Sequence, residues 1–271
     1  MNFLHFSNDQ IDFFHSHGYV AGPRVLSDEQ LDQLRRRSDD ILDGRIDYPD
    51  HLRGMANTDV KNNPPQRKIT NLFRHDRMFA EVIRNSAISS LAHDLMNGPV
   101  RVWEDQAIAK APGDTFGVVA WHRDYTYWDH VGPSKLATCW IALDDATVAN
   151  GAMRVISGSH HWNLNYTRDA VDNDDPDWAL RPPNIPEGVN LDPVACEVPA
   201  GHCHFHHCLT LHGSPGNNSD GPRRSYILHL MPGTTRRIGN DWNSRMASVE
   251  DVEIGEIVQG PNYPELPAVE M

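Results

Sequence analysis

His122 and Asp124 stand one residue apart in the run Trp121-His122-Arg123-Asp124, and a second histidine, His212, follows far downstream with Arg223 eleven residues beyond it. Two imidazoles and one carboxylate are the ligand set of a non-heme Fe(II) centre. An octahedral ion held by three protein groups keeps three positions open. That is enough for a bidentate co-substrate and O2 side by side, which a closed structural site lacks. A guanidinium beside such a centre can grip a carboxylate through two parallel hydrogen bonds. An HxD pair alone is a weak sign, because both residues are common on surfaces; the downstream histidine and arginine at strand positions strengthen it.

Strands are the elements that must position these groups. Residues two apart on a strand share a face, so a strand over Val118–Tyr125 projects His122 and Asp124 together and turns Arg123 away. His212 closes a strand over Cys203–His212. A turn-rich connection, Gly213 to Pro222, then leads into a strand over Arg223–Met231. Antiparallel pairing of those two strands would return Arg223 to His212, with Ser225 on the same face as a further contact; Arg224 must then face away. Other short strands are expected at Arg101–Ala109, Ala137–Leu143 and Ala152–Ile156. The first hundred residues read as helical. Ser7 with Gln10 and Ser27 with Gln30 have capping-box spacing, and a third helix is expected from Phe79 to Met96, stopping at Asn97-Gly98-Pro99. Residues 44–66 read as a loop, and the segment between His161 and Val198 as a long irregular connection.

Helices first and many short strands after them indicate a mainly β fold with a helical wrapper, a double-sheet jelly roll. The 271 residues are expected to form a single domain, with a helical part over 1–99, a jelly-roll core over 100–232 and a C-terminal extension over 233–271. No apolar run suits a membrane span, and Met1 to Gln10 lack the pattern of a secretory leader. The four cysteines, Cys139, Cys196, Cys203 and Cys208, have no pairing or CxxC spacing. A cytoplasmic setting is therefore expected. The formal charge of −13 argues against nucleic acid as a partner and leaves a small-molecule substrate.

Among sixteen histidines, the tract from His202 to Cys208 fits no tetrahedral zinc spacing, and a strand would split it between two faces. One or two of its members, such as His206 or His207, are expected to pack near the iron or to hydrogen-bond a ligand. Tyr125, Tyr127, Trp128 and Asp129 follow the metal motif. They form either a core-and-rim aromatic cluster or the substrate mouth, where aromatic faces suit a cationic amine. Arg67, Lys68, Asn71 and Arg74 form a polar, mostly basic stretch in an acidic chain. It is either a solvated face or a contact for an anionic group, with Lys68 and Asn71 as the candidates. Two rival readings use the same three ligands: a zinc-type hydrolase, and a metal-binding jelly-roll module without turnover.

At these residues the chain resembles the phytanoyl-CoA dioxygenase-like Fe(II)/2-oxoglutarate oxygenases, which include ectoine hydroxylase. Trp121-His122-Arg123-Asp124 is similar to that family's WHxD, and His212-Gly213-Ser214 with Asn217 and Pro222-Arg223 to its distal histidine and arginine segment. Trp140, Gly158-Ser159-His160, Asp105-Gln106 and Lys110 also resemble family positions, and Ser157 departs from a common proline. The resemblance spans roughly residues 7 to 232. It implies a double-stranded β-helix of cupin type, with Fe(II) on His122, Asp124 and His212. It also implies 2-oxoglutarate on that iron, its distal carboxylate on Arg223, and Gln106, Lys110, Trp140, Ser214 and Ser225 around it. O2 would convert 2-oxoglutarate to succinate and CO2 while a substrate carbon is hydroxylated. Asp124, where related halogenating enzymes have alanine or glycine, implies hydroxylation. The substrate expected is a small polar metabolite: an aminoalkylphosphonate such as 2-aminoethylphosphonate, or an amino acid-like compound.

Overall fold

The computed structural model describes residues 3–49, 52–56, 66–115, 117–164, 186–240, 249 and 251–269. Helix α1 (Asn8–His17) and helix α2 (Asp28–Leu42) both begin on the expected capping boxes, with Ser7 and Ser27 accepting from the backbone amides of Gln10 and Gln30. Gly18 ends α1 at φ 82°, a left-handed conformation open to glycine at little cost. A Cβ there would also lie 2.5 Å from His160 Nδ1. Helix α3 (Leu72–His75) precedes the expected third helix, which is divided into α4 (Arg77–Val82) and α5 (Ser86–Met96). The side chain of Asp76 caps α4, and that of Asn85 accepts from the amides of Ala87 and Ile88. The Asn85 cap starts a new helix inside what periodicity alone reads as one.

The strands are β1 (Tyr19–Arg24), β2 (Arg53–Ala56), β3 (Gln66–Thr70), β4 (Val100–Lys110), β5 (Val119–His122), β6 (Val131–Gly132) and β7 (Ala137–Ala142), then β8 (Arg154–Val155), β9 (Val194–Ala195), β10 (His202–His207), β11 (His212–Ser214), β12 (Arg223–Pro232) and β13 (Arg236–Arg237). A seven-stranded antiparallel sheet has the order β1-β10-β7-β12-β4-β3-β2, and a four-stranded sheet the order β5-β11-β8-β9. One face of the large sheet packs the helices through Leu31, Leu34, Ile88, Leu91, Tyr226 and Leu228. The other carries side chains that line the cavity shared with the small sheet.

Three sequence expectations are corrected here. Residues 1–99 are not only helical, because β1, β2 and β3 belong to the large sheet. Within the expected loop over 44–66, Arg53–Ala56 pairs with β3, which begins at Gln66, and residues 50, 51 and 57–65 lie outside the described ones. The strand expected over Cys203–His212 is two strands in different sheets. Between them Thr210 donates its amide to His207 O, and its hydroxyl to Gly18 O. The long connection after His161 lies outside the described residues over 165–185.

Candidate metal centre

β5 and β11 pair antiparallel with His212 directly opposite His122. Sheet register alone therefore brings two imidazoles together, their ring centroids 4.2 Å apart. Gly213 makes the pairing possible: a Cβ there would lie 2.9 Å from Val119 O. Asp124 arrives differently from the sequence expectation. The strand stops at His122, and Asp124 opens a 3-10 turn over Asp124–Tyr127. Its Oδ1 lies 3.6 Å from His122 Nε2 and 3.4 Å from His212 Nε2, and the three donor atoms fall within 4.8 Å of one another.

These residues fit a divalent ion. His122 Nδ1 donates to Ala120 O at 2.8 Å and His212 Nδ1 to Thr210 O at 2.9 Å. Each ring is thereby held in the tautomer that leaves Nε2 as the lone-pair donor. Ligand atoms about 2.1 Å from an ion stand roughly 3 Å apart on an octahedral edge, close to the spacings seen. Burial alone would raise the Asp124 carboxyl, but His212, His122 and His206 outweigh it and hold it well below the usual range. Burial lowers His122, while Asp124 outweighs burial at His212 and raises it. The carboxylate is thus ionised, as a hard cation requires.

A cavity of about 290 Å³ opens onto this cluster. On the large sheet two paired strands stand in register on this side, with Lys110 opposite Arg223, Ile108 opposite Ser225, Gln106 opposite Ile227 and Glu104 opposite His229; of these Arg223, Ile108, Gln106, Ile227 and His229 line the cavity. Arg223 is 2% exposed. Its guanidinium lies over Trp140 at 5.5 Å and donates to Gly151 O at 3.1 Å and to Ser225 Oγ at 3.4 Å. It forms no ion pair among the described residues, and its Nε has no hydrogen-bond partner. Burial pushes it down to about 10. A buried cation left this way is suited to an arriving carboxylate. Arg224 points the other way, making a two-pronged contact with Asp144 at 2.8 and 3.0 Å and a bond to Asp39 at 2.7 Å.

Gln106, Trp140, Ser214, Arg223, Lys68, Tyr127 and Trp128 all line the cavity, as do the three candidate ligands. Four expected residues do not. Lys110 stands behind Ser214, donating to its Oγ at 2.7 Å and to Pro215 O; burial and the facing Arg223 push it down to about 6. Ser225 supports Arg223. Tyr125 turns its hydroxyl to Val131 O at 2.8 Å and packs against the cluster of Trp103 and Trp128. Asn71 is buried beside β4, its amide bonded to Asp105 O. Arg67 pairs with Asp43, so of the basic stretch only Lys68 reaches the cavity. Nor do His212 and Arg223 sit on paired strands: they face each other from the two sheets.

Thr138 and His229 line the cavity and were missed in the sequence. Counting by twos from Arg223 along β12 reaches His229, and from Trp140 along β7 reaches Thr138, so strand alternation carried the signal. His206, one of the two expected near the iron, lies 3.2 Å from Asp124 Oδ2. His207 packs toward Phe14 and His160 instead.

Glu104 is fully buried, and among the described residues neither carboxylate oxygen has a hydrogen-bond partner. Burial lifts it from 4.5 to about 7, against the pull of Lys68. Between those pH values the native protein holds a proton that the unfolded chain has released, so stability falls as pH rises through that window. Glu104→Gln is therefore expected to stabilise the protein at pH 8, by on the order of 3 kcal/mol, and to add little at pH 4.5. Urea denaturation at the two pH values measures this, and an equal effect at both would contradict it.

The chain matches the family description "Phytanoyl-CoA dioxygenase (PhyH)" over residues 14–225. It is 28% identical over 254 residues to a phytanoyl-CoA dioxygenase of Arabidopsis thaliana, covering 82% of this chain and 88% of that one. It is 25% identical over 230 residues to an ectoine dioxygenase of Stutzerimonas stutzeri strain A1501, with 79% and 72% covered. Among solved structures, the non-heme alpha ketoglutarate dependent carbocyclase SnoK from nogalamycin biosynthesis aligns over 97% of each chain at a TM-score of 0.74 and 22% identity, a likeness of fold. Among the described residues no helix is long and apolar enough to cross a membrane.

Proposed function

The chain belongs to the phytanoyl-CoA dioxygenase family of Fe(II)- and 2-oxoglutarate-dependent oxygenases, and we propose that it hydroxylates a C–H bond of a small, polar, zwitterionic metabolite. An amino acid-like compound or an aminoalkylphosphonate such as 2-aminoethylphosphonate fits that description. In this reading His122 Nε2, His212 Nε2 and Asp124 Oδ1 hold the iron, and Arg223 takes the distal carboxylate of 2-oxoglutarate with Ser214 beside it. The observation that carries it is a buried arginine without an anionic partner among the described residues, facing a three-donor cluster across one cavity. Fe(II) bound there supplies O2 activation and oxidation of the substrate carbon.

The chain's own residues do the rest. Trp140 beneath the guanidinium restricts its swing, and Lys110 fixes the Ser214 hydroxyl from behind. Trp121, Trp128, Ile227 and Met153 keep the walls apolar, which strengthens each charge contact inside. A cavity of about 290 Å³ is at the small end for ligand sites and must hold co-substrate and substrate together. That favours a compact substrate over a CoA thioester. Lys68 makes no hydrogen bond or ion pair among the described residues, and its ammonium interacts with Glu104 and Asp124 through space. It can meet an acid group, while the faces of Tyr127 and Trp128 can meet an amine.

Anaerobic mixing with Fe(II) and 2-oxoglutarate is expected to give a weak visible charge-transfer band, perturbed by the true substrate among zwitterionic candidates. No band would reject the reading. Tyr127→Ala should raise KM for that substrate roughly 2- to 30-fold with kcat nearly unchanged. Lys68→Met should also raise it. A rise in the KM for 2-oxoglutarate would instead assign the ammonium to the co-substrate.

A further inference from the structure

The two oxygens of Asp124 have different neighbours. Oδ1 faces the two Nε2 atoms of the metal cluster. Oδ2 accepts from Thr138 Oγ1 at 2.6 Å and from His206 Nε2 at 3.2 Å. Behind Thr138 the contacts continue, with its Oγ1 2.9 Å from His229 Nδ1 and His229 Nε2 2.9 Å from Gln106 Nε2. Thr138, His229 and Gln106 are each at most 5% exposed.

With His229 as a neutral imidazole, only one placement of protons suits this chain. An ionised Asp124 accepts, so the single hydroxyl proton of Thr138 goes to Oδ2. His229 must then donate from Nδ1 to Thr138, which leaves Nε2 as an acceptor. Gln106 fills it with an N–H. Turning the Gln106 amide over would protonate His229 at Nε2 and draw the threonine proton to Nδ1. Two unprotonated oxygens would then face each other at 2.6 Å, a repulsive contact.

We propose that Thr138 and His229 are positioning residues that reserve Asp124 as a one-oxygen metal ligand, and that the same ordering fixes Gln106 to present its carbonyl oxygen to the cavity. This rests on the assignment of His122, Asp124 and His212 as the metal ligands. With Oδ2 held by two donors, the carboxylate cannot rotate to bind through both oxygens, and positions for co-substrate and O2 stay open. Gln106 Oε1 is then an acceptor. It repels the carboxylate oxygens of 2-oxoglutarate and suits a hydrogen-bond donor on the substrate, an ammonium or a hydroxyl. Gln106 thereby moves from the co-substrate side, where the sequence placed it, to the substrate side.

Co(II) without co-substrate or O2 gives the test, because its visible d–d bands report coordination geometry independently of turnover. Thr138→Val, nearly isosteric, is expected to weaken Co(II) binding by about 10- to 100-fold and to alter those bands, while Thr138→Ser restores both. His229→Phe should alter the bands in the same direction, and it serves as the measure should Thr138→Val fail to fold. Gln106→Glu, which offers a second acceptor oxygen in place of the amide nitrogen, should also disturb the bands through His229. Wild-type protein that takes up no Co(II) would sink the metal site and this proposal with it. Wild-type uptake together with unchanged affinity and bands in the Thr138 and His229 variants would overturn the positioning role alone.

Discussion

Asp124→Ala is expected to give a protein that binds no Fe(II) and has no measurable hydroxylation, a larger loss than the roughly 10- to 100-fold that follows removal of an outer hydrogen-bond partner of a metal ligand. Asp124 is the only anionic donor of the cluster, so two neutral imidazoles are left to hold the cation. The substitution also strips Thr138 and His206 of their shared acceptor. Leaving buried donors unpaired costs about 1–3 kcal/mol each, so metal-free Asp124→Ala should also unfold at lower urea. Asp124→Asn separates the two effects. It keeps the shape and one oxygen for Thr138, and should fold nearly as well as the native protein while still binding iron poorly. Iron stoichiometry after anaerobic dialysis, measured beside urea midpoints, decides the matter. Full iron retention by Asp124→Asn would show that the metal is held elsewhere.

The second large effect belongs to Arg223. Removing a buried guanidinium from its carboxylate costs about 2–5 kcal/mol, so Arg223→Ala is expected to weaken 2-oxoglutarate binding by roughly 30- to several thousand-fold. Its iron affinity should stay near the native value, because Arg223 makes no contact with the cluster. Arg223→Lys should recover only part of the loss, since an ammonium cannot offer two parallel donors in a fixed plane. Arg224→Ala is the control. It loses Asp144 and Asp39 and should cost on the order of 1–2 kcal/mol of stability with 2-oxoglutarate affinity intact. Titration of the anaerobic charge-transfer band gives the affinities. A larger loss from Arg224→Ala than from Arg223→Ala would reverse the assignment.

Much of the candidate site was legible because strand alternation and residue chemistry are local properties. His122, Asp124, His212 and Arg223 could be named from ligand type and spacing, and Trp140 from family resemblance. All five line one cavity. The capping boxes at Ser7 and Ser27 were legible for the same reason: side chain and amide lie three residues apart. Legibility failed wherever a neighbour from elsewhere made the decision. Asp124 was placed on a strand, yet the tyrosine-rich segment after it coils into a 3-10 turn whose Tyr125 amide bonds Cys208 O. Tyr125 and Asn71 looked available, but Tyr125 is consumed by packing against Trp103 and Trp128, and Asn71 is buried outside the cavity, where its backbone N–H bonds Asp105 O of β4.

By itself, then, the sequence determined the chemistry on offer: which side chains can hold a divalent ion, which can hold a carboxylate, and that short alternating strands must carry them. The tertiary structure decided how those groups meet. Placing β11 and β12 in different sheets sets Arg223 across the cavity from His212 instead of beside it, leaving room for a co-substrate between them. It also decided which oxygen of Asp124 is spare, because Thr138, His229 and Gln106 come from three strands joined only by long-range pairing. Side-chain type is written residue by residue. The partner of a buried polar group is settled only when distant segments close around it, since leaving that group unpaired is costly.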